Sequence, residues 1–259
     1  MIQDSKIKYF RKFVKDIRQT QNKRPIDICV DYLLGDKPLP ALMMSSDLEE
    51  NYYWIGNIYT SLIPTATKND LAAHFTPPRI ARYIINRAEE LGFNLISSRI
   101  LDPASGGAAF LTPLAAALIE KLKAQGQTDT EIGLHISKRL SGIEIDDNLA
   151  KLSGFILNNF ISSKLPTFDE DLSALILNKD SLTVIELDGE YDAVVSNPPY
   201  GKILNPPDSI LERFAYSLTD KHVNKYALFI RLSIDWVRPG GFIALVVPTS
   251  LIAGPSFGN

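Results

Sequence analysis

A parallel α/β sheet with helices on both faces, behind a short helical N-terminal segment, is the fold this sequence predicts. Two observations predict it. Short runs rich in Ile, Leu and Val alternate with longer stretches whose apolar residues recur at helical spacing. Several of those runs also end in acidic or small residues, the place where ligands sit in such sheets.

The elements follow in order. Residues 5–24 are basic, with Lys6, Lys8, Arg11, Lys12, Lys15, Arg18, Lys23 and Arg24 against Asp4 and Asp16. Tyr9, Phe10, Phe13, Val14 and Ile17 fall on one helical face, so a helix packed on the body with a solvated outer face is expected. Tyr52, Tyr53, Trp54 and Tyr59 read as helix-packing aromatics. The helical segment is placed at residues 1–65 and the sheet domain at 66–259. "RILDPA" is a first strand, followed by the helical "AAFLTPLAAALIEKLKAQG" and a second helical piece, "TEIGLHISKRL". "LSGIEI" is a second strand and "DDNLAKLSGFILNNF" its helix. "LSALILNKDSL" suits a third strand and "YDAVVSN" a fourth. "NKYALFIRLSIDWVRPGG" is a helix that Pro239-Gly240-Gly241 stops, and "FIALVVPTS" is a fifth strand.

Composition excludes several function classes. The 259 residues are 45% hydrophobic and 22% charged, ordinary for a globular protein. A net charge of −3 is not that of a polycation drawn to nucleic acid by charge alone. The apolar runs fall short of a membrane-spanning length, so no membrane partner is expected. The single cysteine, Cys29, fits a reducing, cytoplasmic setting and reads as a small buried apolar residue. His74, His135 and His222 are scattered without a cysteine pair, so no metal site is expected. No Gly-x-Ser-x-Gly turn is present.

The strand ends carry the chemistry. Asp102 stands at the first tip, and the small residues Ala104 to Ala109 let backbone approach a ligand. Glu144 ends the second strand as an acceptor suited to a pair of ribose hydroxyls. Asp180 follows the third, placed to accept from an exocyclic amine. The fourth runs into "SNPPYG", where paired prolines fix the backbone, remove two N–H donors and hold Asn197 extended. Together these describe a pocket for a nucleoside with an amine-bearing tail. A second "NPP", at Asn205–Pro207, follows no strand and reads as a turn.

"DPASGGAAFL", "GIEID", "NKDSL" and "SNPPYG", in that order and with "FTPP" ahead of them, resemble the S-adenosylmethionine-dependent N6-adenine DNA methyltransferases. The similarity covers about residues 70–255 and is to the type I and type IIG modification enzymes. It implies a Rossmann-like class I methyltransferase sheet. It implies S-adenosylmethionine as cofactor, held by Thr76, Asp102, Ala104, Gly106, Glu144, Asp180 and Ser181. Asn197, Pro198 and Tyr200 are implied to be catalytic, with DNA as substrate. Asn197 Oδ1 and the Pro198 carbonyl would accept both hydrogens of the adenine amine, and Tyr200 would stack on the flipped base. Two departures stand out. Ala108 occupies a position that is usually glycine. The chain also stops after its fifth strand, so the terminal hairpin and a target-recognition domain are expected to be missing, or supplied by a specificity subunit. A protein glutamine N5-methyltransferase and an inactive partner-binding module are the alternatives.

Overall fold

The computed structural model describes residues 2–64, 75–184, 187, 189–203, 206–214, 223–249 and 251. Three helices come first: α1 (Ile2–Thr20), α2 (Pro25–Leu33) and α3 (Leu48–Leu62). α2 begins at Pro25, whose missing N–H costs nothing in a first turn. α3 begins at Asp47, whose carboxylate accepts from the Glu49 N–H. The basic α1 buries Val14 and Ile17 and stacks Phe10 against Trp54 at 5.2 Å between ring centroids. Lys8, Arg11, Lys12 and Lys15 stay exposed, the solvated outer face its periodicity predicts.

The α/β part follows as α4 (Pro78–Glu90), β1 (Ile100–Asp102), α5 (Leu111–Ala124), α6 (Asp129–Arg139) and β2 (Leu140–Glu144). Then come α7 (Asp147–Lys164), β3 (Ile176–Asn178), β4 (Tyr191–Ser196), β5 (Lys202–Ile203) and α8 (Asp208–Arg213). β6 (Val223–Asn224), α9 (Lys225–Trp236) and β7 (Val237–Leu245) end the described elements. Thr128 and Glu131 close a reciprocal capping box on α6, and Asp146 caps α7 through the Leu149 N–H.

β3-β2-β1-β4-β7 form one sheet, every pairing parallel. β5 and β6 form a separate antiparallel ribbon. Alternation along the strands builds a core on each face. Ile100, Leu140 and Ala193 join the core containing the buried residues of α2 to α7, while Leu101, Ile143 and Val194 join Leu228, Leu232 and Trp236 of α9. The N-terminal helices share the first of these cores, and Tyr52 and Tyr59 of α3 hydrogen-bond to Asn159 and Asp146 on or beside α7.

Two boundaries differ from the sequence expectation. α9 stops at Trp236 instead of running to Pro239-Gly240-Gly241, because a helix rarely continues into a proline. The triplet instead sits in a bulge of β7, between the pairs Tyr191–Val237 and Ala193–Phe242. There the Arg238 guanidinium donates to the Asp192 carboxylate. β3 is also shorter than its apolar run, since Ser173–Leu175 and Ser181–Thr183 turn as 3-10 helices on either side.

Candidate active site

Chain order leaves β1 in one direction through β2 and β3, then returns to its other side with β4 and β7. The reversal between β1 and β4 opens a crevice at their carboxyl ends, where open α/β sheets bind ligands. A cavity of about 300 Å³ lies there. Ala104 and Gly106 after β1, Glu144 and Ile145 at the end of β2, Asp180 and Ser181 after β3, and Asn197 after β4 all contribute to its wall. Four separate stretches of the sequence are thus brought to one place.

Glu144 is one of the charged groups on this wall, with Lys179, Asp180 and Lys225. It is 7% exposed, and both its oxygens accept backbone hydrogens: Oε1 from Asp146 (3.0 Å) and Oε2 from Gly106 (3.1 Å). Burial outweighs those donors and pushes its pKa up to about 7. Asp102 is buried more completely and does not line the cavity. Its Oδ1 accepts from Ser196 Oγ at 2.7 Å and from the Ala104 N–H at 3.1 Å, which ties the tips of β4 and β1 together. Burial likewise raises its pKa to about 7, with a smaller contribution from the charge of Glu144. Asp180 lines the cavity while its Oδ1 caps the Leu182 N–H. Ser181, also on the wall, donates its hydroxyl to the Pro103 carbonyl at 2.6 Å, bracing one loop against another.

A smaller cavity of about 20 Å³ adjoins the first, and Phe75 lines both. Thr76, Gly107, Ala108 and Thr112 line the small one. Thr76 Oγ1 and Thr112 Oγ1 are buried there, and neither has a hydrogen-bond partner among the described residues. Gly107 has φ +41°, and a Cβ on it would lie 2.3 Å from the Phe75 ring, so no side chain fits. Ala108 takes φ +55°, the left-handed conformation that glycine adopts more easily, so alanine is tolerated here at the cost of backbone strain. The residues before Phe75, 65–74, lie outside the described residues, as do Asn205 of the second "NPP" and residues 252–259.

At the tip of β4, Asn197 lines the main cavity and Pro198 is buried. The Tyr200 hydroxyl donates to Asn197 Oδ1 at 2.6 Å and lies 3.2 Å from the Val246 carbonyl. The oxygen that the sequence reserves for an amine hydrogen is therefore already held by a phenol. Sequence reasoning passed over Ile145, Lys225 and Phe229, which also line the wall. Ile145 carried a signal, an apolar residue between two acids at a strand end. It is 55% exposed, as a ligand-facing residue is. Lys225 and Phe229 carried none, because the first turn of α9 reaches the site only through the fold.

The N-6 DNA Methylase family model matches residues 51–255, most of the chain. The chain belongs to this family. The type II methyltransferase M.BsuBI of Bacillus subtilis is 26% identical to this chain over 191 residues, 73% of this chain and 36% of that protein. Among solved structures, a putative class I S-adenosylmethionine-dependent methyltransferase from Listeria monocytogenes shares the fold. Its TM-score is 0.57 at 18% identity, covering 98% of this chain and 77% of that one. The type ISP restriction-modification enzyme LlaBIII bound to DNA gives a TM-score of 0.63 at 21% identity, over 82% of this chain and 17% of that one. The chain spans a third to a half of the length of the curated relatives it matches.

Proposed function

We propose that this chain binds S-adenosylmethionine and carries the methyltransferase chemistry that modifies the N6 amine of an adenine flipped out of DNA. One observation carries the reading: in a chain of the N-6 DNA methylase family, Asn197 of the NPPY turn lines the same cavity as Glu144 and Asp180, at the switch point of the sheet. The catalytic core is assigned from residue 66 and the helical segment to residues 1–65, whose described helices share its core. The walls fit the cofactor. Glu144 presents a carboxylate to ribose hydroxyls, Ile145 an apolar face to a purine, and Asp180 an acceptor to its amine. Two buried hydroxyls, on Thr76 and Thr112, without a hydrogen-bond partner among the described residues, suit the polar amino-acid end. Asp102 and Ser181 serve by holding the loops that form the walls, and Ala104 and Gly106 by letting backbone come close.

When bound, the cofactor supplies an electrophilic methyl group. The chain's own task is to prepare the amine, whose lone pair is delocalised into the adenine ring. Asn197 Oδ1 and the Pro198 carbonyl accept its two hydrogens, which favours a pyramidal nitrogen with the lone pair directed outward. A side-chain carbonyl oxygen has two acceptor sites, so Oδ1 can take an amine hydrogen beside the phenol that orients it. Pre-set acceptors lower the barrier because they need little reorganisation. The Tyr200 ring supplies a stacking surface for the extruded base. Sequence-specific DNA recognition is assigned to a specificity subunit or a further domain, in keeping with a net charge of −3.

The test is calorimetric titration with S-adenosylmethionine, followed by transfer of labelled methyl to adenine-containing duplex DNA. Asn197→Ala should reduce transfer at least about a hundredfold, the scale of losing one pre-organised transition-state contact, with cofactor affinity within about twofold of the parent. Undiminished transfer by Asn197→Ala, or label recovered in protein instead of DNA, refutes the assignment.

A further inference from the structure

Tyr59 lies in the helical segment, more than forty residues before β1, and no motif includes it. In the structure it reaches the acidic loop after β2. It is 2% exposed, and its hydroxyl donates to Asp146 Oδ1 at 2.6 Å. The same oxygen accepts the Leu149 N–H at 2.7 Å, so Asp146 is fixed from both sides. The Asp146 N–H in turn donates to Glu144 Oε1 at 3.0 Å, and Glu144 Oε2 takes the Gly106 N–H at 3.1 Å. An unbroken chain of hydrogen bonds thus runs from α3 through Asp146 and Glu144 to the loop after β1. Every link is within hydrogen-bond distance, and Tyr59 and Glu144 at its two ends are buried while Asp146 between them is half-buried, so a displacement at one end is passed along the chain.

We infer that Tyr59 is a positioning residue for the cofactor carboxylate, acting through Asp146 to set the orientation of Glu144 in the cavity. The inference rests on the reading of Glu144 as a ligand to ribose hydroxyls. Its consequence is that the N-terminal helical segment forms part of the cofactor site. A ribose diol must meet both carboxylate oxygens in a fixed geometry. Rotation of Glu144 after loss of the Tyr59 hydroxyl would misplace that acceptor without changing its charge.

The experiment is a double-mutant cycle read by calorimetric titration of the full chain with S-adenosylmethionine. Tyr59→Phe keeps the buried ring and removes only the hydroxyl. It should weaken binding about tenfold, the lower end for a hydrogen bond to a charged group. In a Glu144→Gln background the same substitution should cost less than about twofold, because residues acting through one another are not additive. Cys29→Ala is the control for simple loosening of α3. The Cys29 thiol donates to the Ile55 carbonyl one turn before Tyr59, and its removal should lower the melting temperature without changing affinity. Asp146→Ala removes the acceptor of the same Tyr59 bond while its backbone N–H to Glu144 remains, and should repeat the Tyr59→Phe result, so the cycle does not depend on one variant folding. Parent-like binding by Tyr59→Phe, or a full tenfold loss added to that of Glu144→Gln, overturns the inference alone. A parent chain that does not bind the cofactor overturns the underlying reading and the inference with it.

Discussion

Glu144 holds two opposing influences in one side chain. Two backbone donors favour the carboxylate anion, and burial disfavours it. Burial wins, leaving a pKa of about 7. Ribose hydroxyls donate hydrogens, so they bind the anion better than the protonated acid. Affinity for S-adenosylmethionine should therefore fall as pH drops through about 7, by up to about tenfold per unit where Glu144 is protonated in the free protein. Near neutrality, binding should release a proton, seen as a titration enthalpy that depends on the ionisation enthalpy of the buffer. Glu144→Gln should bind more weakly and lose this pH dependence. An affinity that stays flat between pH 6 and 8 would remove Glu144 from the role of cofactor ligand.

Between elements, α7 comes very close to the turn leading into β3. Gly154 faces that turn, and a Cβ on it would lie 2.6 Å from the Ser173 carbonyl oxygen, a backbone atom that cannot swing aside. Gly154→Ala should destabilise the fold by about 1–3 kcal/mol despite alanine's better helix propensity, because overpacking exceeds the gain of about 1 kcal/mol. Urea unfolding checks this, and an unchanged midpoint would mean that α7 and β3 are looser than they stand here. The fold was legible at this scale because strands buried on both faces and helices of one-sided polarity have distinct periods. The acids at strand tips were legible for the same reason, since their places follow from where the apolar runs stop. Contacts made across the fold left no such trace. Nothing in "NYYWIGNIYT" marks Tyr59 apart from the aromatics that only pack, and nothing in "NKYALF" says that Lys225 and Phe229 reach the cavity. Pro239-Gly240-Gly241 announced a break, but only pairing with β4 shows that it bulges a strand instead of ending a helix.

Over the whole molecule, the buried carboxylates of Asp102 and Glu144 make stability fall as pH rises, and burial raises the pKa of Glu49 in the same sense. The ordinary values of 3.8 for Asp102 and 4.5 for Glu144 represent the unfolded chain, and both rise to about 7 in the fold, chiefly through burial. Between about pH 4 and 7 the native state therefore holds protons that the unfolded state has released. The stabilisation is complete below the unfolded values and is lost as pH rises through about 7. Asp27, Asp129 and Glu131, among others, act in the opposite sense, their pKa values lowered by hydrogen bonds, but their effect lies at pH 4.5 and below. Each buried carboxylate contributes at most ~1.4 kcal/mol per pH unit, which for a chain of this size is roughly 3–6 °C in melting temperature. Asp102→Asn keeps an acceptor for Ser196 and the Ala104 N–H but cannot ionise. Its melting curve should converge on or cross that of the parent as pH rises from 5 to 7.5, since only the parent must desolvate a charge. Cofactor binding works against this trend, because it favours the Glu144 anion. Saturation at about a hundred times Kd should stabilise the fold by about 2.7 kcal/mol. At equal total ligand the increment should be larger at pH 8 than at pH 6. Melting curves for parent and Asp102→Asn that stay parallel across this range would show that Asp102 does not keep its proton in the fold. The strap between β1 and β4 would then be held by a carboxylate anion, with Ser196 as its compensating donor.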